Sequence, residues 1–441
     1  MDGAEEAARR RQQGRRDALH LGVGVTLGAV LGLFGARILA RAEDPDAAAY
    51  REVRSFVERT YVREVGREEL LDAALAGMVE QLDPYSRYYG PAEVAAVERE
   101  TSGHYQGIGV VFAQPTSEAR VLFTLAGSPA EKAGLRVGDQ FVRVGGASVS
   151  GMAISELRQR LGERDRGALE LELRGRDGTL RTLEIGQEAL VDPTVRHARI
   201  VAPGFGYLAL SAFSGETPAE FDAAVADLRE QGAGALVLDL RGNLGGVLRS
   251  ATRIANRFLR AGLIVSHEGR DATQRYEANE SEATLAGMPL AILVDKESAS
   301  ASEVLAAALQ EHRVAVTVGV PTFGKGLVQR VESFGDGERV VKLVSAYYYT
   351  PSHRNIERTV EGSWEHGLEP DLMVKLAMEE EELVRKFLAS YSPPRAALAE
   401  LAAWEADVGR EVYPRPPADP QLDAALALLR GEHPCAVEDA R

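Results

Sequence analysis

The core of this chain is set by Leu290-Ala291-Ile292-Leu293-Val294-Asp295 and by Ser298-Ala299-Ser300-Ala301-Ser302-Glu303, which follows almost at once. The apolar run predicts a buried strand, and the small residues ahead of the apolar-rich Ala301 to Gln310 predict a helix start. Ala235 to Leu240 and Val314 to Val318 are two further apolar strands. Strands that alternate with helices predict an open α/β sheet, whose active sites lie at strand ends.

A lysine loop one strand after the serine cluster indicates chemistry. It runs Phe323-Gly324-Lys325-Gly326-Leu327-Val328-Gln329. A serine nucleophile needs a base to remove its proton, and none of the eight histidines lies in a comparable setting. A lysine in its neutral form can serve instead. The two motifs together predict a hydrolase built on a serine and a lysine.

Local sequence leaves two other interpretations of these motifs. Ser300-x-x-Glu303 is also a sound capping box, which would give the serine a structural role. The loop from Gly319 to Lys325 resembles a phosphate-binding loop, but position 326 is glycine rather than serine or threonine. Strands rather than a helix are predicted after it, so we expect no nucleotide site.

Length and composition limit the class of protein. The chain has 441 residues, enough for several domains. Its 66 acidic and 51 basic residues give a net charge of −15, which argues against a nucleic-acid partner. Cys435 is the only cysteine, and neither HExxH nor CxxC occurs. We therefore predict no metal site and no cofactor.

The N-terminus has the charge pattern of a membrane-inserted segment. Five arginines between Arg9 and Arg16 precede residues 18–36, which carry no charge, and acidic residues follow from Glu43. This asymmetry places the start of the chain in the cytoplasm and its body outside. The length favours a retained anchor over a cleaved signal, although Ala40-Arg41-Ala42 fits a cleavage site. We expect a cell-envelope protein anchored in the inner membrane with a periplasmic body, or a secreted one if the signal is cleaved.

Residues 103–187 are predicted to form short strands and turns. They contain the run Ser128-Pro129-Ala130-Glu131-Lys132-Ala133-Gly134-Leu135, then Gly138-Asp139, and before both a glycine-rich start of an apolar strand. On these motifs the segment resembles a PDZ domain. This resemblance implies that a peptide adds as a strand along residues 109–113. The peptide's terminal carboxylate would meet the backbone N–H groups of Gly107, Ile108, Gly109 and Val110. An apolar pocket is expected from Ile108, Val110, Ile154 and Leu157.

Several motifs follow one another in a definite order over about residues 50–376. They are Asp83-Pro84-Tyr85-Ser86, the inserted PDZ domain, Asp239-Leu240-Arg241 with Asn243 and Gly245-Gly246, Ser298 to Glu303, and Thr322 to Gln329. In these motifs and their order the chain resembles the carboxyl-terminal processing protease family, also called tail-specific proteases. The family implies a serine endopeptidase with an α/β core of the ClpP/crotonase type (a ββα core).

The resemblance assigns a role to individual residues. Ser300 is the nucleophile, Lys325 is the general base, and Gln329 positions the lysine. The oxyanion hole is formed by the backbone N–H groups of Gly246 and Ala301. Free lysine has a pKa near 10.4, so we expect burial without a compensating carboxylate to lower it by roughly 3 units. The family usually has proline at position 244, where this chain has leucine, and that change leaves the adjoining N–H groups in place.

The predicted organisation has six segments. They are a basic cytoplasmic N-terminus (1–17), a transmembrane signal anchor or signal peptide (18–41), an N-terminal helical segment (45–100), the PDZ domain (103–187), the Ser/Lys protease core (190–376) and a C-terminal helical tail (377–441). For the helical segment we expect a packing or interaction role without chemistry. The tail is either the end of the protease domain or a dimer contact.

The expected partners follow from this organisation. They are protein or peptide substrates held through their C-termini, the membrane at the N-terminal segment, and a second copy of the chain. An activating adaptor protein is left open. Two alternatives remain at this point: a catalytically silent PDZ scaffold that binds protein tails at the membrane, and a peptide- or lipid-binding member of the same core fold. The intact set of Ser300, Lys325 and Gln329 favours the enzyme.

Overall fold

The computed structural model describes residues 44–432 apart from 95–96, 98–101, 114–117, 163–166, 271 and 359–366. The predicted segments 1–17 and 18–41 therefore lie outside the described residues. No helix in the described part is long and apolar enough to cross a membrane. The chain divides into two compact units, one ending at Met78 and the other beginning at Val79.

The first unit contains α1 (Pro45–Thr60), and α2 (Arg67–Glu80) begins in it. Asp44 caps α1, because its carboxylate accepts a hydrogen bond from Asp46 N at 3.1 Å and the following proline suits the first helical position. α1 buries none of its residues, and its apolar Phe56 is 59% exposed.

A short strand, β1 (Arg87–Tyr89), lies within the segment that the sequence predicts as helical. It pairs antiparallel with a long strand of the protease core, with Arg87 opposite Lys342. Three residues are too few to show a period of two, which is why the pattern of the sequence does not reveal this strand.

The PDZ part is a small β-rich body with its own core. Its elements are β2 (His104–Gly107), β3 (Val110–Phe112), β4 (Val121–Thr124), α3 (Pro129–Lys132), β5 (Gln140–Val144), β6 (Ala147–Ser148), α4 (Ile154–Gly162), β7 (Leu169–Arg174), β8 (Leu180–Ile185) and β9 (Glu188–Val191). Phe112 and Phe141 meet edge to face in this core, with ring centroids 5.3 Å apart. Leu157 of α4 is buried among the same apolar side chains.

The protease core is a six-stranded sheet with a second sheet beside it. Its elements are β10 (Val195–Ala202), β11 (Phe205–Leu210), α5 (Thr217–Glu230), β12 (Ala235–Asp239), α6 (Leu248–Phe258), β13 (Leu263–Gly269), β14 (Thr273–Glu277), a 3-10 turn (Glu280–Glu282), β15 (Leu290–Val294), α7 (Ala301–Glu311), β16 (Ala315–Gly319), β17 (Leu327–Phe334), β18 (Arg339–Tyr349) and β19 (Leu372–Met373). The strand order of the first sheet is β10-β11-β12-β15-β16-β19. All neighbours from β11 to β19 are parallel. The second sheet has the order β1-β18-β13-β14, with β17 also on β18.

Apolar burial explains why the central strands are nearly free of polar residues. Every residue of β12 and β15 is buried, because α5, α6 and α7 contribute to the core on one face and a C-terminal helix packs on the other. The parallel arrangement brings the carboxyl ends of β12, β15 and β16 to one edge, where both predicted motifs follow.

The C-terminal tail belongs to the second unit and forms α8 (Met378–Leu388), α9 (Arg395–Val408) and α10 (Pro420–Leu429). Trp404 of α9 is 3% exposed and belongs to one apolar cluster with Val111 and Phe123 of the PDZ part. Leu422 and Leu426 of α10 pack on the central strands of the sheet. The tail therefore packs on both the PDZ part and the central sheet.

Candidate active site

Ser300 lies in the turn between β15 and α7, in a backbone conformation that only glycine adopts easily. Its φ is 55° and its ψ is −115°. A non-glycine residue in such a region costs about 1–3 kcal/mol, and such strain clusters at functional sites. The turn presents this serine at the N-terminus of α7, where the helix dipole favours negative charge.

The predicted capping box is only half formed. The carboxylate of Glu303 accepts a hydrogen bond from Ser300 N at 2.8 Å. Among the described residues, however, the Ser300 hydroxyl makes no cap hydrogen bond. The interpretation of this serine as a helix cap is therefore wrong for its side chain, and the hydroxyl is left for another role.

The buried carboxylate of Glu303 holds the serine turn and the lysine loop together. One oxygen accepts from Thr322 Oγ1 at 2.5 Å and from Gly324 N at 2.7 Å. The other accepts from Lys325 N at 2.9 Å as well as from Ser300 N. Burial raises the pKa of Glu303, and these four donors oppose that effect because they favour the carboxylate.

Tyr348 of β18 joins the same two residues from the carbonyl side. Its hydroxyl lies 3.2 Å from Ser300 O and also hydrogen-bonds Lys325 O. Tyr348 is 2% exposed, and burial raises the pKa of its hydroxyl well above the ordinary value. The main chains of Ser300 and Lys325 therefore share one acceptor for their N–H groups and one partner for their C=O groups.

The side chain of Lys325 is half-buried in a cleft that residues 83–86 also line. Its Nζ donates to Gln329 Oε1 at 2.9 Å, and Gln329 Nε2 donates to Tyr85 O at 2.7 Å. Lys325 Nζ also lies 4.9 Å from the centre of the Tyr85 ring. The Gln329 amide therefore links the lysine amine to the backbone of Tyr85.

Two carboxyl groups, those of Asp83 and Glu357, lie near enough to Lys325 for its charge to lower their pKa values. Burial raises the pKa of Asp83, but hydrogen bonds from Ser86 and from backbone N–H groups, with the charge of Lys325, bring it below its ordinary value. Burial raises the pKa of Glu357, and Lys325 partly offsets this shift. The lysine therefore does not sit in the acid-free setting that we expect from its neighbours in sequence.

The Gly245-Gly246 turn after β12 packs directly against the serine turn. A Cβ atom on Gly245 would lie 2.9 Å from Ser300 Cβ and 3.0 Å from Ala301 N. Gly246 has a φ of 135°, and a Cβ there would overlap the carbonyl oxygen of Phe213. Only glycine fits these two positions, and at Gly245 the backbone lies directly against Ser300 and Ala301 N.

Two neighbouring serines anchor the serine turn to the chain after β12. Ser298 Oγ donates to Leu240 O at 2.8 Å, and Ser302 Oγ donates to Asn243 O at 2.9 Å. Both serines are fully buried. Of the three serines of the cluster, the outer two therefore have structural hydrogen bonds.

The PDZ part contains a cleft of about 590 Å³ between β3 and α4. The carbonyls of Ile108 and Gly109 accept from Ala130 N and Leu125 N, both at 2.9 Å, and so point into the domain. In a trans peptide the following N–H points the opposite way. The N–H groups of Gly109 and Val110 consequently point toward the cleft that these residues line.

The predicted apolar lining of this cleft is half right. Ile108 and Val110 line the cleft, whereas Ile154 does not, and Leu157 is buried in the PDZ core with 1% exposure. The helix contributes one apolar side chain, that of Leu161, together with the polar Ser155, Arg158 and Gln159 and with Gly162. The prediction of Ile154 and Leu157 is therefore wrong, and the helix side of the cleft is more polar than expected.

Sequence reasoning missed three residues of the site: Tyr85, Tyr348 and Glu357. Tyr85 acts through a backbone carbonyl, which no side-chain motif reveals. Tyr348 lies far along the chain and reaches the site only because β18 borders it. In the sequence, Asp83-Pro84-Tyr85-Ser86 points to the family only and not to a role in the site.

In the described part of the chain, no group of three or more His, Cys, Asp or Glu residues could hold a metal ion.

Comparison with known proteins gives the chain's relatives. A model described as peptidase family S41 matches residues 204–374, and a PDZ domain model matches residues 125–175. The carboxy-terminal-processing protease of Bartonella bacilliformis is 30% identical over 404 residues, which cover 87% of this chain and 88% of that protein. The carboxyl-terminal-processing protease of Synechocystis is 32% identical and covers 85% of this chain and 80% of that protein.

Two further relatives extend this comparison. The carboxy-terminal processing protease CtpA of Bacillus subtilis is 31% identical over 74% of this chain and 68% of that protein. The solved structure of a photosystem II D1 C-terminal processing protease is 29% identical and covers 79% of this chain and 97% of that one, with a TM-score of 0.42. The sequence matches confirm the family resemblance drawn from the motifs.

Replacing the central carboxylate tests how much of this geometry it sustains. In Glu303→Gln one oxygen becomes an NH₂ group that faces two donors, so at least one buried hydrogen bond is lost. We expect the free energy of unfolding to fall by about 1–3 kcal/mol and the site to lose its alignment. Urea unfolding measures the first effect and a hydrolysis assay the second.

Glu230→Gln, on the exposed end of α5, is the matched control for this change and should alter neither quantity. Unchanged stability in Glu303→Gln would show that the four donors do not depend on the charge.

Proposed function

The chain belongs to peptidase family S41, among the carboxy-terminal-processing proteases, and we propose that its chemistry runs through Ser300 and Lys325. It is a serine peptidase with a PDZ domain. The finer assignment of nucleophile and base rests on the geometry of the site.

One observation carries this proposal: Ser300 and Lys325 share their backbone partners. Glu303 accepts from both N–H groups, and Tyr348 contacts both carbonyl oxygens. Two residues that are 25 positions apart are thereby fixed side by side, with the serine hydroxyl outside the capping network. A base must lie within reach of the proton that it removes, and the shared backbone partners support the pairing of this serine with this lysine.

The proposed reaction begins with Lys325 as a neutral amine. It takes the proton from Ser300 Oγ while the oxygen attacks the carbonyl carbon of the scissile peptide bond. The lysine ammonium then gives this proton to the leaving amine nitrogen, and the substrate's acyl group stays on Ser300 as an ester. Water hydrolyses the ester with the lysine again as base, which restores the free serine.

The backbone N–H groups of Gly246 and Ala301 are proposed to stabilise the oxyanion of the tetrahedral intermediate. The close packing of Gly245 against Ser300 and Ala301 N supports this role. Loss of one such donor typically costs about 3 kcal/mol of barrier. Gln329 is proposed as a positioning residue, since its amide bridges Lys325 Nζ and Tyr85 O.

The PDZ part is proposed to bind the free C-termini of substrates. The inward carbonyls of Ile108 and Gly109 support this role, because they direct the following N–H groups at the cleft. A peptide would add along the edge of β3 that does not pair with β4. We also assign the protease core to the ClpP/crotonase type, on the basis of its parallel strands β11, β12 and β15, each of which is followed by a helix.

The location and the remaining partners are proposed from the sequence. Residues 18–36 would anchor the chain in the inner membrane with its catalytic body in the periplasm, so that the substrates are envelope or secreted proteins. A second copy of the chain and an activating adaptor protein are further proposed partners. Light scattering on the purified chain tests for the second copy, and activity with and without envelope extract tests for the adaptor.

Removal of either reacting group should abolish cleavage. We expect Ser300→Ala and Lys325→Ala each to reduce the hydrolysis of an unfolded protein substrate about a thousandfold or more. Both variants should keep their melting temperature within a few degrees, because the backbone hydrogen bonds of the site remain. Lys342→Ala, a lysine of the same cleft, is the control and should keep most of the activity. Substantial cleavage by Lys325→Ala would rule out the lysine as base.

The rate should rise with pH, because only the neutral amine can accept the serine proton. We expect half of the maximal kcat/KM at a pH of about 7–8. Lys325→Arg keeps the positive charge but cannot lose its proton, and it should stay inactive over the whole range. A pH-rate profile of both proteins provides the measurement, and a flat wild-type profile between pH 5 and 9 would contradict a titrating base.

The topology can be tested with a reporter enzyme that is active only after export. Fused after residue 60, the reporter should be active because the charge pattern directs the following chain outward. The same fusion without residues 1–42 is the control and should be inactive. Activity of a cytoplasm-dependent reporter at position 60 would reverse the assignment.

A further inference from the structure

The PDZ cleft carries a positive charge, that of Arg158, which has no role in the proposed binding of a terminal carboxylate by backbone N–H groups. Arg158 projects from α4, is exposed, and lines the cleft. Within the described part of the chain it has neither a hydrogen-bond acceptor nor an ion-pair partner. An arginine fork offers the geometry that best matches a carboxylate, so this vacant guanidinium points to an acidic ligand group.

Asp192, the other charged residue that lines the cleft, is already engaged. It accepts a hydrogen bond from Tyr391 OH at 2.8 Å and lies 3.6 Å from Arg196 as an ion pair. The negative charge of Asp192 is therefore compensated, whereas the positive charge of Arg158 is not. Within the described lining, the net field of the cleft favours an anionic ligand.

The C-terminal end of α4 lies beside the loop that is proposed to hold the terminal carboxylate. A Cβ atom on Gly162 would lie 3.1 Å from Gln106 O, and Gln187 Nε2 donates to Leu161 O at 2.6 Å. Gly162 therefore marks the end of the cleft where a bound peptide would terminate. With Gly162 as the reference point, the distance of a residue along α4 gives the peptide residue that lies opposite it.

Arg158 is four residues before Gly162, or about 6 Å along the helix axis. An extended peptide advances about 3.3 Å per residue, so this span corresponds to about two peptide residues. Side chains of an extended peptide alternate between its two faces, so the last residue and the one two positions before it face the same way. The arginine thus lies opposite the third residue from the peptide's end.

We propose that Arg158 is a specificity-determining residue, which selects substrates with Asp or Glu two positions before a free C-terminus. The proposal rests on the proposed binding of C-terminal tails in this cleft. The terminal residue would enter the apolar part of the cleft, formed by Ile108, Phe112 and Leu161. The acidic side chain would pair with the guanidinium, and the backbone would add to β3.

The test is a binding measurement on the full-length chain in detergent, with Ser300→Ala to prevent cleavage. Three short peptides differ only in Glu, Gln or Lys two positions before a C-terminal valine, and each is made as free acid and as amide. We expect the Glu acid to bind about three- to tenfold more tightly than the Gln acid, since an exposed pair is partly screened by water. The Lys acid should bind most weakly.

Charge reversal at Arg158 should invert this order. Arg158→Glu is expected to prefer the Lys peptide, and Arg158→Gln to bind the three acids about equally. Arg160→Glu changes the net charge by the same amount on the same helix, but its side chain pairs with Glu156 and does not line the cleft. It should retain the preference of the parent protein for Glu.

The outcomes separate the two levels of the proposal. Equal binding of acids and amides would overturn the reading of C-terminal tails itself. A clear preference for acids over amides, with no Glu preference or with one that Arg158→Glu leaves intact, would overturn only the role of Arg158. If Arg160→Glu abolished the Glu preference as fully as Arg158→Glu does, the effect would be long-range electrostatics, and the assignment to Arg158 would be wrong.

Discussion

The arrangement of the active site depends on one buried carboxylate. Glu303 is fully buried, and its two oxygens accept four hydrogen bonds from two segments of the site. A charge can stay in such a position only if donors surround it, and here the donors come from the serine turn and from the lysine loop. The same four bonds that satisfy the carboxylate therefore fix the relative positions of Ser300 and Lys325. The strained backbone at Ser300 persists because this network and the packed Gly245 leave it no alternative.

The glycine turn that borders the serine is held by a second buried charge cluster. Arg241, just after β12, donates to Asp239 Oδ1 at 2.9 Å, to Asp419 Oδ1 at 3.0 Å and to Gln421 Oε1 at 2.8 Å. Asp419 also caps α10 by accepting from Leu422 N at 3.2 Å. Removal of one partner of a buried pair typically costs about 3–5 kcal/mol, so the start of the glycine turn is firmly tied to the C-terminal helix. The C-terminal tail thus supports the site from behind.

The sequence predicts most of the core strands and the main motifs, but not the distant residues that hydrogen-bond to those motifs. Apolar runs such as Leu290 to Val294 identify buried strands because polar groups are excluded from both faces of a parallel sheet. The family resemblance is confirmed, and it names Ser300 and Lys325 from local motifs. Tyr85 and Tyr348 could not be found in this way, because each contacts the site through distant pairing of strands or loops. For the PDZ cleft the prediction of Ile108 and Val110 agrees with the lining, whereas that of Ile154 and Leu157 is wrong, since a periodic pattern in α4 does not state which neighbour receives each apolar side chain.

The tail also connects the two parts of the molecule that are proposed to contact substrate. Trp404 and Leu401 of α9 pack on the β3–β4 face of the PDZ part, while α10 packs on the central sheet and is tied to Arg241. Separating the PDZ part from the core would expose this apolar cluster to water, at roughly 25 cal/mol for each Å² of apolar surface. The docked arrangement is therefore the stable one for the described chain. The peptide cleft lies on the other side of β3 from its partner β4, so docking of α9 leaves the cleft open. The C-terminal tail of this chain thus packs against the PDZ part, which is proposed to bind the substrate's C-terminus, and is tied to the start of the glycine turn, which is proposed to stabilise the oxyanion.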